Sequence, residues 1–551
     1  MKVLVLILFN LLVFALAQTL QTDGSALCDF YRALTAGKSS LANWCVGSGP
    51  YSPCGSGTST WTGVKCGTVG GVIRVVSLDV QEKGLAGTLP STVGNLGSLT
   101  RFSVNKNTLS GALPSLLWKL TNLQALGLYT NQFTGSLPST VGNLKALTLF
   151  GVHENSLSGY LPSQLGELIN LQKLGLLKNK FAGTLPSQLG ELINLQMLWL
   201  YTNQFTGTLP SQLGELTNLQ TLDFSTNKFT GTLPSTVGDL SWLTYLNLQS
   251  NSLRGSLPTQ LGQLINLVIL SVSSNGLSGS PPTQLGRLSK LERLYLGGNS
   301  FTGPLPSTLG NLGSLTRLTV DYSGFSSAVP ASFCRFSTSI ELNLNGNPGL
   351  TCLPSCLTTA NPPFTKLSKD STLTAVCPSE QTDGSALCDF YRALTAGTSS
   401  LANWCVGSGP YSPCGSGTST WTGVKCGTVG EVIRVVSLYV EEKGLAGTLP
   451  STVGNLRELT WLSLYSNSLS GSLPSQLGEL IKLQALDFSR NKFIGTLPST
   501  VGDLVLLAWL NLGINSLSGS LPSQLGLLIK LDSLQLDENK FTGSLPSTVG
   551  N

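Results

Sequence analysis

The stretch LQTLDFSTNKFTGTLPSTVGDL, from Leu219 to Leu240, contains the pattern that decides the fold. The same pattern recurs along the chain and places an asparagine at every 24th residue from Asn107 to Asn299. A constant period of about 20–29 residues, with apolar residues at constant offsets, is typical of a solenoid in which each repeat packs only on its neighbours. The chain of 551 residues is therefore predicted to be a solenoid whose length reflects the number of repeats.

One repeat shows how the pattern maps onto structure. In the segment from Leu123 to Asn131 (LQALGLYTN), leucines alternate with outward residues, as expected of a short half-buried strand in a parallel sheet. Asn131 points inward and needs partners, because a buried amide without hydrogen bonds costs about 1–3 kcal/mol. We therefore expect the asparagines to form a structural ladder between repeats. Leu137-Pro138 is expected to begin a second extended segment. The convex side is expected to be filled by Val141, Leu144 and Leu147.

The composition excludes one large class of proteins. Charged residues make up 11% of the chain, the net charge is +5, and no run of lysine or arginine occurs. The electrostatic footprint of a nucleic-acid-binding protein is therefore missing. Glycine (62 residues) and proline (27) recur at constant places in the repeat, which indicates turns and an ordered chain.

The N-terminus has the features of a secretory signal peptide. Lys2 precedes an apolar run from Val3 to Leu16, and small residues around Ala17 suit cleavage before Gln18. The run is shorter than the ~20 residues that a membrane-spanning helix needs. Twelve cysteines occur in three groups of four at the edges of the repeat blocks, where disulfides would close exposed ends. Both observations predict a secreted or cell-surface protein.

The chain contains a tandem duplication. Residues 21–96 return at 381–456 with differences at Lys38, Gly71, Asp79 and Gln81. The second copy ends at Asn551 partway through a repeat, and because a terminal repeat needs a cap, we expect this array to be truncated. The predicted organisation is a signal peptide (1–17), an N-terminal cap (18–72), array one (73–349), a C-terminal cap and linker (350–379), a second N-terminal cap (380–432) and array two (433–551).

The repeat LxxLxLxxNxFTGxLPSxLGxL resembles the plant-type extracellular leucine-rich repeat, with Leu-Pro where that family usually has Ile-Pro. Leu41 to Cys66 (LANWC...PC...TWTGVKC) resembles the family's N-terminal domain, and Asn347 to Cys356 (NPGLTCLPSC) resembles its C-terminal flank. The resemblance, to receptor-like and polygalacturonase-inhibitor-like ectodomains, covers nearly all of the mature chain. It implies a leucine-rich repeat solenoid with a right-handed superhelix, a parallel β-sheet on the concave face, disulfide-stapled caps, and ligand capture on the concave or lateral face.

The family resemblance also implies disulfide pairs. They are Cys28–Cys45, Cys54–Cys66, Cys334–Cys352 and Cys356–Cys377, although four cysteines in a group allow three pairings. The second N-terminal cap supplies four further disulfide cysteines, Cys388, Cys405, Cys414 and Cys426. No kinase sequence follows array two in this chain. We expect contact with a membrane only through an anchor beyond Asn551 or through a partner protein.

Motifs for catalysis and metal binding are missing from the sequence. His153 is the single histidine, so sites that need two histidines are excluded, and no GxSxG or catalytic-cysteine motif accompanies it. Gly37-Lys38-Ser39 matches the end of a phosphate-binding loop, but Arg32 occupies the first glycine position of that motif. We expect no enzymatic activity, no cofactor and no metal.

The outward positions in the middle of array one hold large side chains. They are predicted to form one patch of roughly 15–25 Å, since adjacent strands lie about 4.8 Å apart. Contiguous exposed aromatic surface is typical of binding sites, although aromatic residues also pair across strands without any ligand. The predicted ligand-binding residues are Tyr129, His153, Lys173, Leu177, Met197, Trp199, Tyr201 and Tyr245. A second, weaker patch comprises Arg293, Tyr295, Arg317, Asp321 and Tyr322, whereas Asp79, Asp223 and Asp487 are expected to be solvated.

These observations favour an extracellular recognition protein that binds a protein, peptide or glycan on its concave face. Two alternatives remain open. One is a structural or adhesive protein of the cell surface or wall, in which the array serves as a spacer. The other is an inhibitor of a secreted hydrolase, as the resemblance to polygalacturonase inhibitors implies. The absence of a dominant charged stripe on the concave face argues against the inhibitor.

Overall fold

The computed structural model describes residues 23–46, 51–54, 61–336, 340–357, 366–375, 377, 383–405, 412–414, 421–429 and 432–544. The predicted signal peptide at residues 1–17 lies outside these ranges. The chain divides into two compact units. The first comprises Met1–Ser327, Arg335–Thr351 and Asn361–Leu373, and the second comprises Ala328–Cys334, Cys352–Ala360 and Thr374–Asn551.

Array one contains the predicted parallel sheet, here called the concave sheet. It has 14 strands, and each three-residue strand pairs with the strand one repeat further on, as Lys173 pairs with Met197. The first pair of strands, in the cap, is antiparallel. The strands are Val64–Val69, Val72–Asp79, Arg101–Ser103, Ala125–Gly127, Leu149–Gly151, Lys173–Gly175, Met197–Trp199, Thr221–Asp223, Tyr245–Asn247, Ile269–Ser271, Arg293–Tyr295, Arg317–Thr319, Glu341–Asn343 and Lys366–Ser368.

A second sheet of 13 strands runs along array one, and the nine strands from Thr108–Ala112 to Ser300–Gly303 directly follow an asparagine. The prediction that Leu137-Pro138 begins the second extended segment is therefore wrong, because the strand precedes it and Pro138 caps a 3-10 helix instead. The strands are Leu34–Ala36, Ala86–Thr88, Thr108–Ala112, Gln132–Gly135, Ser156–Gly159, Lys180–Gly183, Gln204–Thr208, Lys228–Gly231, Ser252–Gly255, Gly276–Gly279, Ser300–Gly303, Gly324–Ser327 and Gly349–Leu350.

The convex side of array one consists of short 3-10 helices, each preceded by an extended proline. Proline at this place fixes φ and lacks the N–H that a helix start leaves unpaired. The predicted convex residues Val141, Leu144 and Leu147 are fully buried. The helices are Ser91–Asn95, Ser115–Lys119, Ser139–Asn143, Ser163–Glu167, Ser187–Glu191, Ser211–Glu215, Ser235–Asp239, Thr259–Gln263, Thr283–Arg287 and Ser307–Asn311.

The asparagine ladder is confirmed. Asn179 Oδ1 accepts the backbone N–H of Leu157 at 3.0 Å, and its Nδ2 donates to Val152 O at 3.1 Å, both in the preceding repeat. The residue before the asparagine adopts a left-handed conformation in most repeats, for example Thr130 with φ 54°. This bend turns the chain from the first sheet into the second and aims the amide at the backbone of the neighbouring repeat.

The second unit repeats the same architecture. Its cap contains a helix at Asp383–Ala393 and a 3-10 helix at Thr398–Leu401, and the unit has two six-stranded sheets. The concave sheet of array two contains Val424–Val429, Val432–Tyr439, Trp461–Ser463, Ala485–Asp487, Trp509–Asn511 and Ser533–Gln535. The second sheet contains Leu394–Ala396, Ala446–Thr448, Ser468–Ser472, Lys492–Gly495, Ser516–Ser520 and Lys540–Thr542. Its convex 3-10 helices are Ser451–Asn455, Ser475–Glu479, Ser499–Asp503 and Ser523–Leu527.

The first N-terminal cap consists of a helix over residues 23–33, a 3-10 helix (Lys38–Leu41) and the first strands. Buried Asp23 accepts two hydrogen bonds from Arg74, at 2.9 and 2.7 Å, and one from the backbone N–H of Val75. Such pairing is required because an unpaired buried carboxylate is strongly destabilising. The predicted disulfides Cys28–Cys45 and Cys54–Cys66 are confirmed, and the second cap repeats them as Cys388–Cys405 and Cys414–Cys426.

The C-terminal flank contains 3-10 helices at Ala331–Arg335 and Ser355–Leu357, and its disulfides differ from the predicted pairs. The bridges are Cys334–Cys356 and Cys352–Cys377, not Cys334–Cys352 and Cys356–Cys377. Their sequence separations of 22 and 25 residues are close to one repeat. Stacking of successive turns places residues about one repeat apart above each other, and the Cα atoms of the bridged cysteines lie 5.8 and 4.8 Å apart.

Candidate functional site

The concave sheet of array one brings most of the predicted binding residues onto one surface. Register pairing places Leu149, Lys173 and Met197 side by side on successive strands, with Gly175 paired to Trp199. The strand before Tyr129 and the strand that contains Tyr245 are five strand steps apart, which corresponds to about 24 Å. We call the residues on this surface the array-one patch: Tyr129, His153, Lys173, Met197, Trp199, Tyr201 and Tyr245, all half-buried.

The prediction that Leu177 belongs to this exposed surface is wrong. Its side chain is 7% exposed. Leu177 lies between the register positions of His153 and Tyr201, and an aliphatic side chain between two larger ones loses its contact with water. The sequence pattern identified the direction of the side chain correctly but could not account for the size of its neighbours.

One end of the array-one patch is formed by a stack of Tyr129 on His153. The ring centroids are 4.3 Å apart and the rings are nearly parallel, at 9°. Two glycines of the concave sheet allow the rings to lean over the backbone. A Cβ at Gly151 would lie 3.4 Å from the Tyr129 ring, and a Cβ at Gly175 would lie 3.0 Å from the His153 ring. These glycines therefore determine how close the rings lie to the sheet.

Burial under the stack changes the chemistry of His153. Desolvation lowers its pKa, and the charge of Lys178 acts in the same direction, whereas Glu154 opposes it. His153 Nδ1 is buried and has no hydrogen-bond partner among the described residues. The imidazole is therefore neutral at neutral pH, and the array-one patch presents an aromatic surface there instead of a cation.

A charged network borders this stack. Glu154 accepts hydrogen bonds from Lys178 Nζ and Thr130 Oγ1, each at 2.7 Å. The bond from Lys178 is the largest influence that lowers the pKa of Glu154. Because both charged side chains are partly exposed, the pair defines the polar rim of the patch and adds little to stability.

Two aspartates predicted to be solvated are buried. Asp223 is 8% exposed, and its carboxylate accepts hydrogen bonds from Ser225 N and Oγ at 3.0 and 2.7 Å. Tyr245 Oη donates to the other oxygen of Asp223 at 3.4 Å, and burial together with that carboxylate raises the pKa of Tyr245. Asp487 repeats the arrangement in array two. The Asp-Phe-Ser motif in both arrays is the sequence signal for this local turn, since aspartate often bonds the backbone two residues ahead.

The second, weaker patch is occupied by its own ion pairs. Arg317 contacts Glu341, which also accepts a hydrogen bond from Lys366 at 3.2 Å. A hydrogen bond with Tyr295 is the largest influence that raises the pKa of Arg317. These internal partners leave less capacity for a ligand than the array-one patch offers.

The described residues contain no group of three or more histidine, cysteine, aspartate or glutamate side chains positioned to hold a metal ion. Within the same ranges, no helix is sufficiently long and apolar to cross a membrane. The paired parallel sheets, the asparagine ladder and the disulfide-closed caps define the class of leucine-rich repeat solenoids.

Family models agree with this class. The leucine rich repeat N-terminal domain matches residues 20–67 and 380–427, and the leucine-rich repeat region matches residues 117–233. Single leucine rich repeats match 242–264, 266–288, 290–312, 458–480 and 482–504. No curated protein sequence matches the chain. The chain is a member of the plant-type extracellular leucine-rich repeat proteins.

Solved structures of plant ectodomains are similar to this chain. The ectodomain of the Arabidopsis thaliana receptor kinase GASSHO1/SCHENGEN3, in complex with CASPARIAN STRIP INTEGRITY FACTOR 2, is 27% identical with a TM-score of 0.52. The match covers 89% of this chain and 59% of that one. The plant peptide hormone receptor RGFR1 with RGF2 is 29% identical (85% and 71% covered, TM-score 0.47), and PEPR1–AtPEP1 is 25% identical (96% and 80% covered, TM-score 0.49).

Proposed function

We propose that this protein is a non-enzymatic extracellular recognition protein that binds a peptide or protein ligand on the array-one patch. The observation that supports the proposal most directly is the continuous surface of partly exposed aromatic side chains on the concave sheet. Tyrosine and tryptophan bury a large area at low entropic cost, and they dominate the energetics of protein interfaces.

The electrostatics of the patch support the same function. His153 is neutral because of its burial, so the Tyr129–His153 stack binds apolar or aromatic ligand groups without removing a charge from water. Lys173 on the patch and the Lys178–Glu154 pair at its rim provide polar contacts that would orient a ligand. The similarity to the GASSHO1/SCHENGEN3 receptor kinase ectodomain, which was solved in complex with CASPARIAN STRIP INTEGRITY FACTOR 2, supports recognition as the role of this chain.

A displayed-peptide selection on the full chain tests the proposal. Selected peptides are measured by calorimetry against wild type and Trp199→Ala, which removes the largest ring of the patch. Truncation of a central aromatic contact is expected to weaken binding by about thirtyfold or more, in the range of an interface hot spot.

Trp242→Ala is the matched control, because Trp242 is 62% exposed and lies outside the concave sheet. This variant is expected to bind the selected peptides as wild type does. If Trp199→Ala and Trp242→Ala bind equally well, or if the selection returns no peptide that competes for the patch, the proposed function is wrong.

A further inference from the structure

The concave sheet of array two presents an aromatic surface that array one lacks at the corresponding place. The rings of Tyr439 and Trp461 are 5.9 Å apart, and Trp461 lies 5.8 Å from Trp509. Trp461 and Trp509 belong to strands on either side of the strand that contains Ala485, so their rings lean towards each other across this buried alanine. Trp461 remains 37% exposed, which leaves part of its ring available for stacking.

Beside these rings, Ser463 has lost a partner that its counterpart in array one retains. In array one, Ser103 Oγ accepts a hydrogen bond from Asn105 Nδ2 at 2.9 Å. The residue that corresponds to Asn105 is Tyr465. Ser463 is 1% exposed, and its Oγ has no hydrogen-bond partner among the described residues. A buried polar atom in this state is destabilising, and a ligand that supplies a donor would remove this cost.

The adjacent carboxylate has fewer donors than Asp223, which belongs to the same Asp-Phe-Ser motif in another repeat of array one. Asp487 Oδ1 is saturated by Ser489 N and Oγ at 2.9 and 2.6 Å. In array one, the second oxygen of Asp223 receives the hydroxyl of Tyr245, but the corresponding residue in array two is Trp509. Among the described residues, Asp487 Oδ2 therefore keeps a single long contact of 3.5 Å from Asn511 Nδ2 and has capacity for another donor.

The charge of this face indicates what donor fits. The outward positions of the four strands from Trp461–Ser463 to Ser533–Gln535 contain no lysine or arginine, whereas the cap strand Val424–Val429 contributes exposed Lys425, which pairs with Ser437 two strands away from Trp461. The outward positions of array two also contain three carboxylates, Glu441, Asp487 and Asp537. Trp461 replaces Arg101 of array one, so the difference between the copies removes a cation at the centre of the site. Aromatic faces and an unsaturated carboxylate together complement a cation.

We propose that array two holds a second binding site, which takes an arginine side chain of a peptide ligand. The guanidinium group would stack on Trp461 and Trp509 and donate hydrogen bonds to Asp487 Oδ2 and Ser463 Oγ, which lie on neighbouring strands about 4.8 Å apart. A planar group with five donors is suited to both tasks. Because Ser463 is 1% exposed, the proposal requires the partly exposed rings to rotate when the ligand binds, a fast motion for surface side chains. The site is independent of the array-one patch.

Calorimetry of the full chain with the blocked peptide Ac-(Gly-Arg)3-NH2 tests this assignment. The citrulline counterpart of the peptide has the same shape but lacks the charge, and we expect it to bind at least about tenfold more weakly. Asp487→Asn is expected to weaken binding of the arginine peptide by a similar factor. Asp239→Asn, which removes an exposed carboxylate on a convex 3-10 helix of array one, is expected to leave binding unchanged.

A second variant gives Ser463 and Asp487 the hydrogen-bond partners that Ser103 and Asp223 have in array one. Tyr465→Asn with Trp509→Tyr should satisfy both Ser463 and Asp487, and it is expected to abolish binding while the melting temperature is kept or raised. Loss of folding therefore cannot explain that result. The proposal is overturned if the citrulline and arginine peptides bind equally, or if neither binds at millimolar concentration. It is also overturned if the variant with Tyr465→Asn and Trp509→Tyr binds the arginine peptide as wild type does, or if cellohexaose binds better than the arginine peptide.

Discussion

Replacement of Asn179 by alanine isolates the energetic role of the ladder. The Asn179 side chain makes four hydrogen bonds. It donates three of them to backbone carbonyl oxygens, and each of these oxygens keeps another donor when the side chain is removed. Val152 O also accepts from Asn155 Nδ2, Leu176 O from Asn203 Nδ2, and Leu177 O from Glu154 N. The backbone N–H of Leu157, bonded to Asn179 Oδ1 at 3.0 Å, is the group left without a partner.

The expected loss of stability follows from this count. One buried unpaired N–H costs about 2 kcal/mol, and the weakened carbonyl contacts add about 1 kcal/mol, so Asn179→Ala should destabilise its repeat by about 3 kcal/mol. A loss of this size corresponds to about a hundredfold faster exchange of the Leu157 amide, if exchange occurs through opening of that repeat. Hydrogen–deuterium exchange by NMR or mass spectrometry measures it in the full chain, and urea unfolding reports the free energy.

Asn194→Ala is the matched control in the next convex segment. Asn194 is exposed and donates a single hydrogen bond, to Ile169 O at 2.9 Å, so its loss should cost less than about 1 kcal/mol. Equal destabilisation by the two substitutions, or unchanged protection of the Leu157 amide in Asn179→Ala, would refute the assignment of the ladder as the link between repeats.

Two further predictions concern the array-one patch and the bends. His153 is the single histidine, so one imidazole signal reports its titration by NMR, and its midpoint should lie below 6.5 because burial lowers the pKa. As the pH falls through about 6.5, the unfolded state therefore binds more protons than the folded state does. Wild type should lose more stability on acidification than His153→Gln does, and equal losses would contradict this. Ile514 is β-branched yet left-handed, with φ 54°, so Ile514→Asn should stabilise array two by about 1 kcal/mol in urea unfolding. Ile494→Asn, in a regular strand, should not stabilise it.

Sequence periodicity predicted the features that depend only on one repeat and its immediate neighbours. The leucines at constant offsets identified the buried positions, and the inward asparagines required partners that only a neighbouring repeat could supply. Both predictions are confirmed, since Leu126, Leu128 and Phe133 are fully buried and Asn131 bonds Val104 O of the preceding repeat at 3.0 Å. Repetition makes these contacts predictable because each repeat has the same neighbours.

The candidate site was predictable in position but not in detail. The outward direction of Trp199 follows from strand alternation, whereas the burial of Leu177 depends on the side chains beside it. The Asp-Phe-Ser motif indicates the contact of Asp223 with Ser225, whereas the contact of Asp223 with Tyr245 depends on the next strand, and nothing in a single repeat indicates it. The missing partner of Ser463 likewise depends on tertiary contacts, since Ser103 at the same place in array one has the partner Asn105.

The amino-acid sequence by itself determined the solenoid, the duplication and the inward and outward faces, and the family resemblance implied the pairing of cysteines in the first N-terminal cap. Tertiary structure decided the second sheet, the bridges Cys334–Cys356 and Cys352–Cys377, and which outward side chains are accessible. The physical reason is the range of the interactions. Period and alternation act within one repeat, whereas accessibility, carboxylate partners and disulfides in the flank depend on which residues the stacking of successive turns brings together.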